Sequence, residues 1–201
     1  MEYEIIGNTL KMKHSEWLQH RRQGIGGSDA PALVLYPELF KWRSPSDIWN
    51  DKVIGCLEFN NEATRLGHFL EPYIAIRFTE ETGIKVRRCN RLLKSKGYPF
   101  MLGNIDYKVI GENAGLECKT TSVYNDKKFT DDEYPHEYYV QCQHYMAVTG
   151  FNHWYLAVLI GNIKFKHYII EKNDSVQQML IQKETDFWKT VLDKNNIWEV
   201  K

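Results

Sequence analysis

Residues 115–120 read "GLECKT", and eleven positions before its glutamate lies the aspartate of "GNIDYKVI". Both stretches are β-prone. A strand sends alternate side chains to opposite faces, so Glu117 and Lys119 share one face while Leu116, Cys118 and Thr120 share the other. "GENAG" between the two stretches reads as a turn, so they pair as a hairpin and Asp106 arrives beside Glu117. Two carboxylates on one spot repel unless a cation joins them. Magnesium suits such a site because it is hard, prefers oxygen and keeps several waters. Lys119 could orient or deprotonate a metal-bound water, or stabilise charge on a phosphate. The chemistry this spacing suggests is metal-assisted hydrolysis of a phosphodiester. The plain alternative is a salt-bridged solvent face, common on any exposed strand.

Other residues bear on the choice. Glu71, beside Pro72, is either a solvated helix glutamate or a third carboxylate for the metal. Gln141 and Tyr145 lie four apart and share a helix face. The Gln141 amide is either a satisfied core group or a donor that reaches phosphate. "RRQGIGGSD" places Arg21, Arg22 and Ser28 around a glycine turn at a helix start. Backbone N–H groups, a hydroxyl and a guanidinium there suit an anion, although glycine-rich connections are ordinary. "KVRRCNRLLKSK" carries Lys85, Arg87, Arg88, Arg91, Lys94 and Lys96 with no acid between them. It is either a protected edge strand or a track for phosphates.

Periodicity assigns these groups to helices and strands. Short helices are expected over "HSEWLQHRR" with Ser15 as N-cap, over "GIGGSDAPALVL" with Ser28 or Asp29 as cap, and over "RSPSDIWNDKV". A long helix over 60–82 should stop at Gly83 and be bent or interrupted by Pro72. "IKVRRCNRLL", "FMLGNIDYKVI" and "GLECKT" read as three strands. "HEYYVQCQHYMAVTG" returns to helix, "HWYLAVLI" and "IKFKHYII" are strands joined by "GN", and 174–193 is an amphipathic helix. The order implies an α/β fold in which one mixed sheet is flanked by helices.

The 201 residues fit a single domain, 1–201, and at 43% hydrophobic they can bury a core. Twenty-six basic residues balance 26 acidic ones, so any nucleic-acid surface must come from local clustering. No apolar run is long enough for a membrane span, and the N-terminus lacks a signal-peptide pattern. The cysteines at 56, 89, 118 and 142 form no CxxC pair and read as reduced cytosolic thiols.

"WLQHRRQGIGGSDAPALV", "GHFLEPYIAIRFTEETG", "GNIDYKV", "LECKT" and "YYVQCQHYMAVTGFNHWYLAVL" occur in that order. Together they resemble the YqaJ-like viral recombinase family, which includes the exonuclease of phage lambda and belongs to the PD-(D/E)xK nucleases. The resemblance covers about residues 15–170. It implies a restriction-endonuclease-like core and a magnesium-dependent exonuclease, with manganese as substitute, that digests double-stranded DNA from 5′ ends. By motif it implies Asp106, Glu117 and the Cys118 main-chain carbonyl as metal ligands. Lys119 matches the catalytic lysine and Glu71 the helix carboxylate that supports the metal. Arg21, Ser28 and Gln141 match the group that holds the 5′-phosphate, and Arg87, Arg88 and Arg91 would contact DNA. Asn104 stands where the lambda enzyme has a phosphate-touching serine, and Ile105 replaces the motif's proline.

The resemblance also implies a ring-shaped homotrimer, a single-strand annealing protein as partner, and the cytoplasm of a bacterial or phage-infected cell. Trp42, Trp49, Trp154, Trp188 and Trp198 exceed what one small core needs, which is compatible with such an assembly. Three other readings compete. A restriction- or repair-type endonuclease would share the metal site but not need the phosphate pocket. An iron–sulfur nuclease would need clustered cysteines that this chain lacks. A catalytically silent DNA-binding protein would not need Asp106, Glu117 and Lys119 together.

Overall fold

The computed structural model describes residues 2–55 and 61–193. Six helices are present among these: α1 (His14–Arg22), α2 (Ala30–Val34), α3 (Pro45–Val53), α4 (Glu62–Thr82), α5 (His136–Thr149) and α6 (Asp174–Leu192). The strands are β1 (Tyr3–Asn8), β2 (Ile25–Gly26), β3 (Val86–Arg88), β4 (Arg91–Ser95), β5 (Met101–Gly103), β6 (Tyr107–Val109), β7 (Ala114–Thr121), β8 (His153–Ile160) and β9 (Lys164–Glu171). A 3-10 turn, Val123–Lys128, follows β7.

The mixed α/β class expected from the pattern is the fold observed, but the strands form two sheets rather than one. One has the order β1-β4-β5-β2 and the other β3-β6-β7-β8-β9. Two of the three expected strands are each split between the sheets. The first breaks between Arg88 and Arg91, the second between Gly103 and Tyr107. The breaks are only two and three residues long, 89–90 and 104–106, and β-prone residues flank both, so the pattern reads as continuous. β1 escaped the pattern altogether, because its register slips between Ile5 and Gly7 and its burial does not alternate.

Every residue of the apolar run in β8 has a use. Trp154, Leu156, Val158 and Ile160 join Val140, Tyr145 and Met146 of α5 in one cluster that reaches Leu93 and Met101 of the smaller sheet. Tyr155, Ala157 and Leu159 face the other way and pack with Ile74, Ala75 and Phe78 of α4. A strand buried on both faces needs this continuous apolar composition. β7 is split by the same rule. Leu116 and Cys118 join the α4 side, which leaves Glu117 and Lys119 on the side of α5.

Local signals decide the helix ends. Ser44 and Asp47 form a reciprocal capping box on α3, and Asn61 caps α4, which ends on left-handed Gly83. α4 runs unbroken through Pro72. The first two caps differ from expectation. α1 begins at His14, with Lys13 at the cap position and no side-chain bond. Asp29 precedes α2 but does not cap it, because its carboxylate is engaged by cations. The expected surplus of tryptophan also shrinks. Trp49 and Trp154 are buried, and Trp188 packs on the cluster around Ile48 and stacks 6.3 Å from Phe100. Trp42 alone of the named set stays largely exposed, while Trp198 and Cys56 lie outside the described residues.

Candidate active site

The antiparallel register of β6 and β7 pairs Tyr107 with Leu116 and Lys108 with Gly115. One step further along the same register lies Asp106, where the chain bends. Pairing ends there, and Asp106 Oδ2 instead accepts the Cys118 N–H at 2.9 Å. A residue's N–H and C=O point toward the same neighbouring strand. The Cys118 carbonyl therefore also faces the side where β6 has ended, while its thiol is buried against α4.

Lys119 Nζ lies 2.7 Å from Glu117 Oε1 and 5.7 Å from the Tyr138 ring centroid. Gln141 Nε2 donates to the same Glu117 oxygen at 2.7 Å and to Tyr145 Oη at 3.0 Å. Tyr145 Oη donates to the Asn104 carbonyl at 3.3 Å. One face of α5 thus supplies Tyr138, Gln141 and Tyr145 to the site. Burial, together with the Glu117 and Glu71 charges, pushes the Asp106 carboxyl well above its ordinary range. Burial also raises Glu117, against the pull of Lys119. Desolvation opposes the Lys119 ammonium, but Glu117 and Asp106 outweigh it and raise its pKa. The two carboxylates thus favour the ammonium form of Lys119.

Glu71 comes from α4, which packs on the opposite face of β7. Its Oε1 pairs with Arg88 at 3.1 Å, and His68 lies 3.9 Å from its Oε2. No three His, Cys, Asp or Glu side chains among the described residues converge enough to ligate one ion. The site instead offers the Asp106 and Glu117 carboxylates and the Cys118 carbonyl. These suit a hard divalent cation that keeps several waters. Two observations agree with that fit. Glu117 Oε2 is buried without a hydrogen-bond partner, and the mutual repulsion that raises Asp106 is what a divalent cation relieves.

Arg21, Ser28 and Asn104 line a cavity of about 70 Å³ whose walls include Trp17, Gly27 and Tyr145. A Cβ at Gly27 would fall 2.6 Å from the Tyr145 ring, so only glycine permits this approach. Arg21 stacks over Trp17 at 5.1 Å, and its Nη2 lies 3.3 Å from Asp29 Oδ1 and 3.5 Å from Ser28 Oγ. Asp29, fully buried, also takes Arg43 at 2.8 Å and Lys52 at 2.7 Å. Burial works against the Asp29 charge, but Lys52, Arg21 and Arg43 hold its carboxyl far below the ordinary range. Sequence reasoning missed Asp29, Arg43 and Lys52. Their only signal was an acid at a helix start, which reads as a cap. Asn104 also lines an open pocket of about 450 Å³ with Asp106, Glu71 and Arg88. The structure therefore places Arg21, Ser28 and Asn104 together, next to the carboxylates. Gln141 stands apart from that wall and contacts it through Tyr145. Of the basic run, Arg87 and Arg88 sit on the edge strand β3, Arg91 starts β4 in the other sheet, and Lys94 pairs with Glu4 at 2.7 Å.

The pattern of the YqaJ-like viral recombinase domain matches residues 16–152. The chain belongs to that family. It is 42% identical over 189 residues to "Uncharacterized protein YqaJ" of Bacillus subtilis (strain 168), a match that covers 92% of this chain and 58% of that protein. The chain thus spans well under two thirds of that relative's length. The fold is shared with the alkaline exonuclease LHK-Exo of Laribacter hongkongensis, at a TM-score of 0.70 and 18% identity over 90% of this chain and 93% of that one. It is shared too with a phage-related exonuclease of Haemophilus somnus 129PT, at 0.66 and 12% identity over 86% and 96%. Among the described residues, no helix is long and apolar enough to cross a membrane.

Proposed function

We propose that this YqaJ-like chain is a magnesium-dependent exonuclease that digests one strand of double-stranded DNA from its 5′ end. The products would be 5′-mononucleotides and 3′ single-stranded overhangs for phage-type homologous recombination. The observation that carries the reading is the Asp106–Glu117–Lys119 cluster beside the Arg21–Ser28–Asn104 cavity. Asp106, Glu117 and the Cys118 carbonyl would hold the metal, for which manganese should substitute. A bound metal would supply an activated water and offset charge on the phosphate. Lys119, held as an ammonium, places positive charge where negative charge develops on the scissile phosphate. Gln141 fixes the Glu117 carboxylate. Glu71, which lines one pocket with Asp106 and holds Arg88 at its rim, would support the metal through a bound water. Arg21 and Ser28, with Asn104, would take the terminal phosphate, and Arg87 and Arg91 would contact the duplex. A single-strand annealing protein and a homotrimeric ring belong to the same proposal.

The test is digestion of linear duplex with one 5′-phosphorylated end, with magnesium and with chelator. Loss from that end in magnesium alone is expected, and covalently closed plasmid should survive. Asp106→Ala and Glu117→Ala should abolish metal binding and cleavage together. Lys119→Ala should keep metal binding and lose about 10²–10⁴-fold in rate. Cleavage of closed plasmid would turn the reading toward an endonuclease. Normal turnover in Lys119→Ala would refute the assignment of that lysine.

A further inference from the structure

An open groove of about 640 Å³ lies at the C-terminal end of β7, between the N-terminal ends of α4 and α5. Its walls include Thr120, Ser122, Asn125, Lys128, Tyr138 and Trp42. Trp42 is 84% exposed, an unusual cost for the largest apolar side chain. Lys128 is exposed and has no ion-pair partner among the described residues, although nearby Lys164 and Lys166 pair with Asp126 and Asp131. Glu137 is the acid on the wall. A free lysine, hydroxyls, an amide and an exposed indole on one open groove match the composition that holds a single nucleic-acid strand by phosphate and by stacking.

The groove continues the candidate active site. Tyr138, Gln141 and Tyr145 stand on one face of α5 at spacings of three and four residues. Tyr145 walls the Arg21 cavity, Gln141 holds Glu117, and Tyr138 lies under Lys119 and walls the groove. Seven helical residues span about 10 Å. The cavity and the groove therefore open on opposite sides of the carboxylates. A strand with its 5′-phosphate in the cavity and its first linkage at Asp106 and Glu117 can run onward past Lys119 and Tyr138 into the groove.

We propose that this groove binds the digested strand on the 3′ side of the scissile bond. Lys128 contacts the phosphate of the second or third linkage, and Trp42 packs on a base or sugar there. The inference rests on the 5′-end reading above. It assigns a DNA contact to the loop between α2 and α3 and to the 3-10 turn after β7, neither of which carries any of the catalytic groups.

The test reads equilibrium binding, so it does not depend on cleavage. Affinity for a 5′-phosphorylated duplex is measured by fluorescence anisotropy in calcium, across a salt series. Duplexes with a single neutral methylphosphonate at the second, third or fourth linkage are compared. Lys128→Ala should weaken binding several-fold and lower the slope of log K against log salt by about 1. It should also abolish the penalty that one methylphosphonate imposes on the unaltered protein. Trp42→Ala should cost about tenfold, with recovery in Trp42→Phe. Unchanged affinity in both variants, or a methylphosphonate penalty retained in full by Lys128→Ala, overturns the groove assignment. Variants that lose self-association or a protein partner but bind DNA normally would assign the groove to a protein instead. A chain that binds duplex with these signatures yet cleaves nothing leaves the groove standing and removes the nuclease reading.

Discussion

Gln141 Nε2 and Lys119 Nζ both sit 2.7 Å from the same oxygen, Glu117 Oε1. The amide and the ammonium together fix that carboxylate and leave Oε2 buried without a partner. The family resemblance instead groups Gln141 with Arg21 and Ser28 around a terminal phosphate. The two roles differ in a measurable way. A phosphate contact, once lost, narrows the gap between 5′-phosphorylated and 5′-hydroxyl ends. A group that orients a metal-binding carboxylate, once lost, lowers turnover on both ends alike, by about 10–100-fold. The geometry favours the second outcome for Gln141→Ala. Steady-state kcat and KM on the two kinds of end decide it, and a selective loss on phosphorylated ends would return Gln141 to the phosphate site.

A second pair concerns stability. His144 and Glu184 are fully buried and 2.8 Å apart, and His144 Nε2 donates to the Leu102 carbonyl at 2.9 Å. Burial disfavours the imidazolium, but Glu184 and the Leu102 carbonyl raise the His144 pKa above its ordinary value. Burial raises Glu184 as well, against the pull of His144. Both folded values are higher than the unfolded ones, so both groups hold protons longer in the folded state. The His144 contribution is then full below about pH 6.5 and is lost as pH rises through the raised value. The melting temperature should fall from pH 6.5 upward for this reason. Glu184→Gln, whose amide can donate to neutral Nδ1, should flatten the profile. A wild-type melting curve independent of pH between 6 and 9 would remove the pair from the account.

Asp29 carries a different load. It is one buried carboxylate facing Arg21, Arg43 and Lys52, and the Lys52 side chain is itself fully buried. Removing one member of a buried charge cluster costs about 3–5 kcal/mol, because the remaining charges lose their counter-ion. Asp29→Ala should lower unfolding stability by about that much in a urea titration. This is a large share of the ~5–15 kcal/mol that holds a typical domain. A change below about 1 kcal/mol would mean that solvent already screens the cluster.

The parity of Glu117 and Lys119 was legible because strand alternation is local. Asp106 followed from a turn length and an antiparallel register. The burial of β8 was legible from its composition. What failed to show depends on contacts between distant segments. Nothing in "RRQGIGGSD" says that Asp29 meets Arg43 and Lys52, since those partners arrive from another helix and loop. Gln141 reads as a lone polar group until α5 is laid on β7. The sheet changes at 89–90 and 104–106 are silent because each break is only two or three residues long between β-prone stretches. The tryptophans looked like a surplus because the packing of Trp49 on α6, and of Trp188 from α6 onto Phe100 and the cluster around Ile48, is not written in their own neighbourhoods.

The last prediction concerns strand polarity. Metal chemistry cannot by itself tell a 5′ end from an interior site, so something must bind a feature unique to the terminus. A terminal phosphate carries more charge than an internal one and has a free ester position. Arg21 faces the cavity with Ser28 and is held there by Asp29 and Trp17, so it can offer forked donors to such a group. Arg22 is adjacent but turned away, its guanidinium against Gly55. Arg21→Ala should therefore slow digestion of 5′-phosphorylated ends far more than of 5′-hydroxyl ends and narrow the difference between them. Arg22→Ala should leave that difference largely intact. A proportional loss on both ends in Arg21→Ala would reduce Arg21 to support of the fold or of general DNA affinity. Loss of the phosphate preference in Arg22→Ala alone would place the anion on the other side of α1, against Gly55.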